Sequence, residues 1–192
     1  MAFETNCVML IRHAEKPAGG RVGIGPQGLV DPQSLSVVGW QRAGALVPFF
    51  APVGHRGHVP GIERPLHLLA ARPVQAHPST RPRDTLLPLA EALALDVDEQ
   101  WSTDDPPSKV AEHLRTLQGP ALVCWRHEAL PALARELLQR DEAPAAWPEA
   151  RFDVVWVFRR AGVRWTFQQV AQQLLAEDRG QPIPRRVSAR AA

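Results

Sequence analysis

Tyrosine is absent from the 192 residues, and lysine occurs only at positions 16 and 109. Cysteine and methionine appear twice each, and the formal net charge is only +2. These scarcities exclude several classes of function. So small a net charge sets up no field across the molecule that would draw in nucleic acid or a membrane surface. Six tryptophans without a tyrosine read as core and interface packing rather than as a base-stacking platform. No apolar run is long enough to span a bilayer. The first residues, with Glu4 and a short apolar run, do not make a signal peptide. Cys7 and Cys124 each sit in an apolar, strand-like run, which points to buried free thiols in a reducing compartment. A disulfide between them stays open at this level. The expected location is cytoplasmic, and no internal repeat is present.

The chain does have enough length and apolar content for one sizeable core. Apolar residues make up 45% and charged residues 22%, an ordinary balance for a globular domain. Residues 6–11 are continuously apolar and read as a fully buried strand. Residues 17–34, with five glycines and three prolines, read as a loop. Gly23-Ile24-Gly25-Pro26-Gln27-Gly28 matches the dinucleotide pattern G-x-G-x-x-G, but no strand precedes it and no helix follows, so that reading is rejected. Ser36 can cap a helix to about Phe50, with Val38, Leu46 and Phe49 toward the core. A loop over 51–65 leads to a strand over 66–71. A helix from about Pro82 to Leu95 follows, with Pro88 expected to kink it. Residues 96–107 are acidic and irregular. Ser108 can cap a short helix through Leu117, and 121–125 make a third buried strand. A helix over about 128–140 and strands over 152–158 and 163–170 complete the pattern, with a hairpin turn at Arg160-Ala161-Gly162. The alternation predicts a three-layer α/β sandwich. Its central sheet is mostly parallel with helices on both faces and an antiparallel hairpin at the C-terminal edge. One domain is expected over 1–176, followed by a polar, Arg-rich, disordered tail over 177–192.

Two apolar strands end in the same dipeptide, Arg12-His13 and Arg126-His127. A third segment, Ser79-Thr80-Arg81-Pro82-Arg83-Asp84-Thr85, puts Arg81 at a helix start. A parallel sheet brings these positions to one edge, where open α/β sheets hold their ligands. Guanidinium groups, imidazoles and a helix N-terminus converging there describe a pocket for a phosphate dianion.

These segments resemble the histidine phosphatase superfamily, also called phosphoglycerate mutase-like. Leu10-Ile11-Arg12-His13-Ala14-Glu15 corresponds to the first family signature, a strand followed by Arg-His-Gly/Ala-Glu. Leu35-Ser36-Val37-Val38-Gly39-Trp40-Gln41-Arg42-Ala43 corresponds to the Leu-Thr-x-x-Gly-x-x-Gln-Ala helix start. Arg81-Pro82-Arg83-Asp84-Thr85 corresponds to Arg-Ala-x-x-Thr with Pro replacing Ala, and His127 to the second histidine. The four occur in the family's order over roughly residues 6–140, and the 152–170 hairpin resembles the end of some short bacterial members. The resemblance implies a phosphatase in which His13 attacks phosphorus, Arg12 and Arg81 bind the phosphoryl oxygens, and His127 adds a donor. It implies no metal and no cofactor, and a phosphorylated small molecule or phosphoprotein as substrate. The expected proton donor is Glu128, with Glu99, Asp104 and Asp105 as rivals. The Glu-x-x-x-Gly-x-x-Glu-Gly-type segment of mutases has no counterpart at 98–105. Glu15 is expected to bind substrate or orient Arg12, or to cap its turn.

Other residues carry plainer readings. Arg83 is read as a solvated helix charge, His77 as a turn residue within reach of substrate, and His67 and His113 as structural. His55-x-x-His58 has metal-compatible spacing but lacks a third ligand. The alternatives to a phosphatase are a phosphate-binding regulatory module without turnover, a phosphoglycerate mutase, and nucleic-acid binding through the basic tail.

Overall fold

A computed structural model describes residues 7–54 and 57–185. Ten elements follow in the order β1 (Cys7–Arg12), α1 (Val37–Phe50), β2 (His67–Ala70), α2 (Arg81–Leu93), β3 (Val97–Asp98), α3 (Pro107–Thr116), β4 (Ala121–Trp125), α4 (Leu130–Leu138), β5 (Val154–Ala161) and β6 (Arg164–Ala171). One six-stranded sheet has the order β3-β2-β4-β1-β5-β6. The β3-β2, β2-β4 and β4-β1 pairs are parallel, while β5 pairs antiparallel with both β1 and β6. The hairpin thus closes one side of the sheet, as its turn chemistry predicts, with Gly162 taking the left-handed conformation at φ 63°.

The continuous apolar strands are explained by two cores. Val8 and Leu10 of β1 and Val123 and Trp125 of β4 pack against α3 and α4 together with Trp156 and Phe158. Cys7, Met9, Ile11, Leu122 and Cys124 face the other way, against α1 and α2 with Leu46, Phe49, Leu86 and Leu89. A strand buried on both faces has no polar alternation to show. Cys7 and Cys124 are buried free thiols, and burial raises both, Cys7 to about 11.

Some expectations change. Val97–Asp98, read as irregular, pairs with Leu68 and Leu69 as a short edge strand. Ser108 does not cap α3: the helix starts at Pro107 behind Pro106, with no side-chain cap. Val38 is only partly buried, and Arg42 on the same helix is buried instead. Residues 177–185, expected to be free tail, are tied down. Asp178 receives Arg42 Nη2 at 2.6 Å and the backbone N–H groups of Leu174 and Leu175. Ile183 is buried in the first core, and its backbone bonds Gln169 in both directions. The polar composition concealed this because the tethers are a long-range ion pair, backbone groups and one apolar anchor. Residues 186–192 and His55 lie outside the described residues. No described helix is long and apolar enough to cross a membrane.

Helix α1 is fastened to the loop after β1. Ser36 caps it by accepting from the Gly39 N–H at 3.0 Å, while its own N–H and hydroxyl donate to the Glu15 carbonyl at 3.0 and 3.1 Å. A Cβ at Gly39 would stand 2.5 Å from that carbonyl oxygen, whereas a Cβ at Gly44 would meet open space. Gly39→Ala is therefore expected to cost about 1–3 kcal/mol, because rigid backbone must move. Gly44→Ala on the same helix should gain up to ~1 kcal/mol from helix propensity. Urea unfolding of the two variants checks the contrast, and equal midpoints would contradict the close approach.

Candidate active site

The register Arg12↔Trp125 sets the ends of β1 and β4 side by side. The His13 N–H donates to the Trp125 carbonyl at 3.1 Å, so the two Arg-His dipeptides leave the sheet together. Helix α2 joins them through Thr85. Its hydroxyl accepts from the Ala14 N–H at 2.8 Å and donates to the Arg81 carbonyl at 2.7 Å. The result is a cavity of about 200 Å³ whose walls include Arg12, His13, Arg81, His127 and Glu128. Lys16 and Arg126 complete its cationic lining, and the 76–79 turn with His77 closes it.

His13 is 6% exposed, and its Nδ1 lies 2.8 Å from the Ala14 carbonyl oxygen. A carbonyl only accepts, so Nδ1 carries the proton and Nε2 keeps the lone pair. Burial drives the imidazole down to about 3, against the pull of that hydrogen bond, and Arg12, Arg81 and His127 lower it further. The ring is neutral at physiological pH, as a nucleophile must be.

Arg12 is 1% exposed and burial lowers it to about 10, which leaves it a cation. Its Nη1 donates to the Glu149 carbonyl and, at 3.5 Å, to the Arg151 carbonyl. The guanidinium lies 3.9 Å over the Phe152 ring, and its buried Nε has no partner among the described residues. Arg81 is fixed in the same manner, donating to the Ser34 carbonyl at 2.9 Å, the Pro32 carbonyl at 2.6 Å and Ser79 Oγ at 3.1 Å. Burial lowers His127, and Arg12 adds to that, while Glu128 opposes it with Oε2 3.2 Å from Nδ1. Together these groups present cationic and N–H donors to one small space without a carboxylate on Arg12 or Arg81.

No family model matches the sequence, and no curated protein does. Solved structures do resemble the chain. A mycobacterial glucosyl-3-phosphoglycerate phosphatase aligns with TM-score 0.50 and 15% identity over 85% of this chain and 97% of that one. The protein histidine phosphatase SixA complexed with tungstate aligns with TM-score 0.52 and 14% identity over 86% and 97%. A putative alpha-ribazole-5'-P phosphatase from Escherichia coli aligns with TM-score 0.50 and 15% identity over 86% and 95%. The chain has the histidine phosphatase fold.

Within the histidine phosphatase fold, the expected residues part company. Arg12, His13, Arg81, His127 and Glu128 meet at the cavity. Glu15 does not line it. Its Oε1 receives Arg42 Nε at 2.8 Å, so the carboxylate belongs to a buried network with Asp178 and holds the loop from behind. Arg83 also stays outside and pairs with buried Asp84 at 3.2 Å. Among the rival acids, Asp105 accepts from the N–H and hydroxyl of Ser102, which makes it a turn cap. Burial raises Glu99, but it does not reach the cavity wall. Asp104 lies 3.8 Å from His77 Nε2, behind the lining. For Glu128, burial acts upward, yet its own backbone N–H and the Arg126 guanidinium outweigh it and hold the carboxyl below its usual range.

Sequence reasoning gave no role to Lys16 or Phe152, and it brought Arg126 to the pocket edge through the repeated dipeptide without a task of its own. The carbonyls of Glu149 and Arg151 leave no trace in residue type, so the segment that fixes Arg12 was not legible.

His13 also predicts an acid limit to stability. Its folded value is depressed, so below 6.5 the unfolded chain takes up a proton that the folded chain refuses down to about 3. Its contribution is complete above 6.5 and is lost as pH falls through that window. The urea midpoint should drop more between about pH 7 and about pH 5 in wild type than in His13→Asn. Parallel profiles would contradict a neutral buried imidazole.

Proposed function

We propose that this chain is a metal-independent phosphatase that passes the phosphoryl group of a phosphomonoester or phosphohistidine through His13. The observation that carries the reading is the Nδ1 lock on the Ala14 carbonyl, which leaves the Nε2 lone pair as the nucleophile beside Arg12, Arg81 and His127. Nε2 attacks phosphorus, the bond to the leaving oxygen breaks, and a phosphohistidine forms. Arg12 and Arg81 hold the equatorial oxygens, where charge persists through the transition state, and the unpartnered Arg12 Nε is a donor for one of them. His127, neutral, adds an N–H. Water then attacks the phosphohistidine, releasing phosphate and restoring the imidazole. Glu128, held ionised, suits the base of this second step better than the acid of the first. The guanidinium groups supply the positive field that a metal would otherwise supply.

Hydrolysis of para-nitrophenyl phosphate in EDTA tests the reading. Wild type is expected to turn over and to be inhibited by vanadate, and His13→Ala to lose activity by about a thousandfold or more. Turnover persisting in His13→Ala, or vanadate binding by a folded wild type that hydrolyses neither this ester nor a phosphohistidine, would overturn it. The second result would mark a binding module.

A further inference from the structure

The cavity lining carries two cations beyond the Arg12 and Arg81 assigned to the phosphoryl group, each within reach of a carboxylate. Beyond Arg12 and Arg81, its lining includes Arg126 and Lys16, with Glu128 the only carboxylate on the wall among the described residues. Arg126 reaches Glu128 at 3.4 Å, the outer limit of a hydrogen bond. Burial is what chiefly lowers Arg81, and the Arg126 charge across the same cavity adds to it. Two guanidinium groups facing one small space repel each other, and an anion between them removes the repulsion. Lys16 sits at the same wall, paired with exposed Glu149 at 2.6 Å.

The leaving group is constrained as well. An alkoxide needs a proton as it departs, and among the described residues the wall offers only Glu128 for that work, 56% exposed at its side chain and paired with Arg126. A phosphate leaves as an anion and needs no proton. Volume adds a limit: about 200 Å³ is less than the ~300–1,000 Å³ of sites that enclose a drug-sized ligand. Such a space takes one or two phosphoryl groups and leaves the rest of the molecule outside.

We infer that Arg126, with Lys16, forms a second anion subsite, and that the substrate is a compound ending in a diphosphate whose inner phosphate is the leaving group. The inference rests on the phosphoryl transfer to His13 proposed above and extends its substrate class from a monoester or phosphohistidine to a phosphoanhydride. His13 Nε2 attacks the terminal phosphorus, and the bond to the bridging oxygen breaks. The electron pair leaves with the inner phosphate, which Arg126 neutralises in place. Water then cleaves the phosphohistidine, so the sum is a diphosphate and water going to a monophosphate and inorganic phosphate. A phosphorylated hydroxy acid would satisfy the second charge but not the missing proton.

The test measures phosphate release from ADP, AMP, 3-phosphoglycerate and para-nitrophenyl phosphate in EDTA, for wild type, His13→Ala, Arg126→Ala and Arg126→Lys. For ADP, kcat/KM should exceed that for AMP and 3-phosphoglycerate by about tenfold or more, the range of a charge-assisted hydrogen bond. Arg126→Ala should collapse that preference toward unity, and Arg126→Lys should retain part of it. His13-dependent turnover with AMP or 3-phosphoglycerate equal to ADP would overturn the subsite and leave the phosphatase reading standing. An ADP preference that survives unchanged in both Arg126 variants would also overturn it. No turnover of ADP by a folded wild type that hydrolyses a phosphohistidine would overturn the inference and leave the His13 reading standing, whereas no turnover of that substrate or of any of the four would remove both.

Discussion

Carbonyl oxygens, not carboxylates, hold the two arginines and the histidine at the centre of this site. Arg12 is fixed by the carbonyls of Glu149 and Arg151, Arg81 by those of Ser34 and Pro32, and His13 by that of Ala14. A carbonyl satisfies a donor and fixes its direction without cancelling its charge. Arg42 shows the opposite solution on the same molecule. It is clamped between Glu15 and Asp178, and its pKa is raised, because those carboxylates overcome the burial that would lower it. That guanidinium is spent on structure. Arg12 and Arg81 are lowered by burial and remain open to an incoming anion.

The remaining scaffold keeps this arrangement in register. Parallel pairing of β1 with β4 sets the two Arg-His dipeptides together, and the Thr85 hydroxyl ties α2 to the backbone beside His13. Behind the loop, Glu15 and Arg42 join α1 to the 172–178 segment. On the far side, Arg151 pairs with Asp153 at 2.6 Å, and the Trp147 indole donates to the Arg151 carbonyl that also faces Arg12. The C-terminal segment is therefore part of the support for the site. Its polar residues are fastened by the Arg151 side chain on the Gln181 carbonyl and by the Arg179 N–H on Asp153.

The legible parts of the molecule were those written in side-chain type. Continuous apolar runs ending in Arg-His announced buried parallel strands with a cationic edge, and Arg81 at a proline-started helix announced the third wall. The Ser36 cap was legible from its residue type, whereas the close approach at Gly39 was not. What stayed hidden was carried by backbone or by long-range pairing. Val97–Asp98 is a strand only because β2 offers an edge, and Glu149 fixes Arg12 through its carbonyl rather than its side chain. Glu15 looked like a site residue from its place beside His13. Its true partner, Arg42, is 27 positions away, and nothing local announced it.

The central claim is that His13 Nε2 accepts the phosphoryl group, and the direct measurement is mass spectrometry of the enzyme quenched at alkaline pH during turnover. The account predicts a phosphoryl group on the peptide containing His13, stable to base and lost in acid, and absent from His13→Ala. Turnover with no phosphorylated peptide at any quench time, or with the phosphoryl group on another residue, would contradict it.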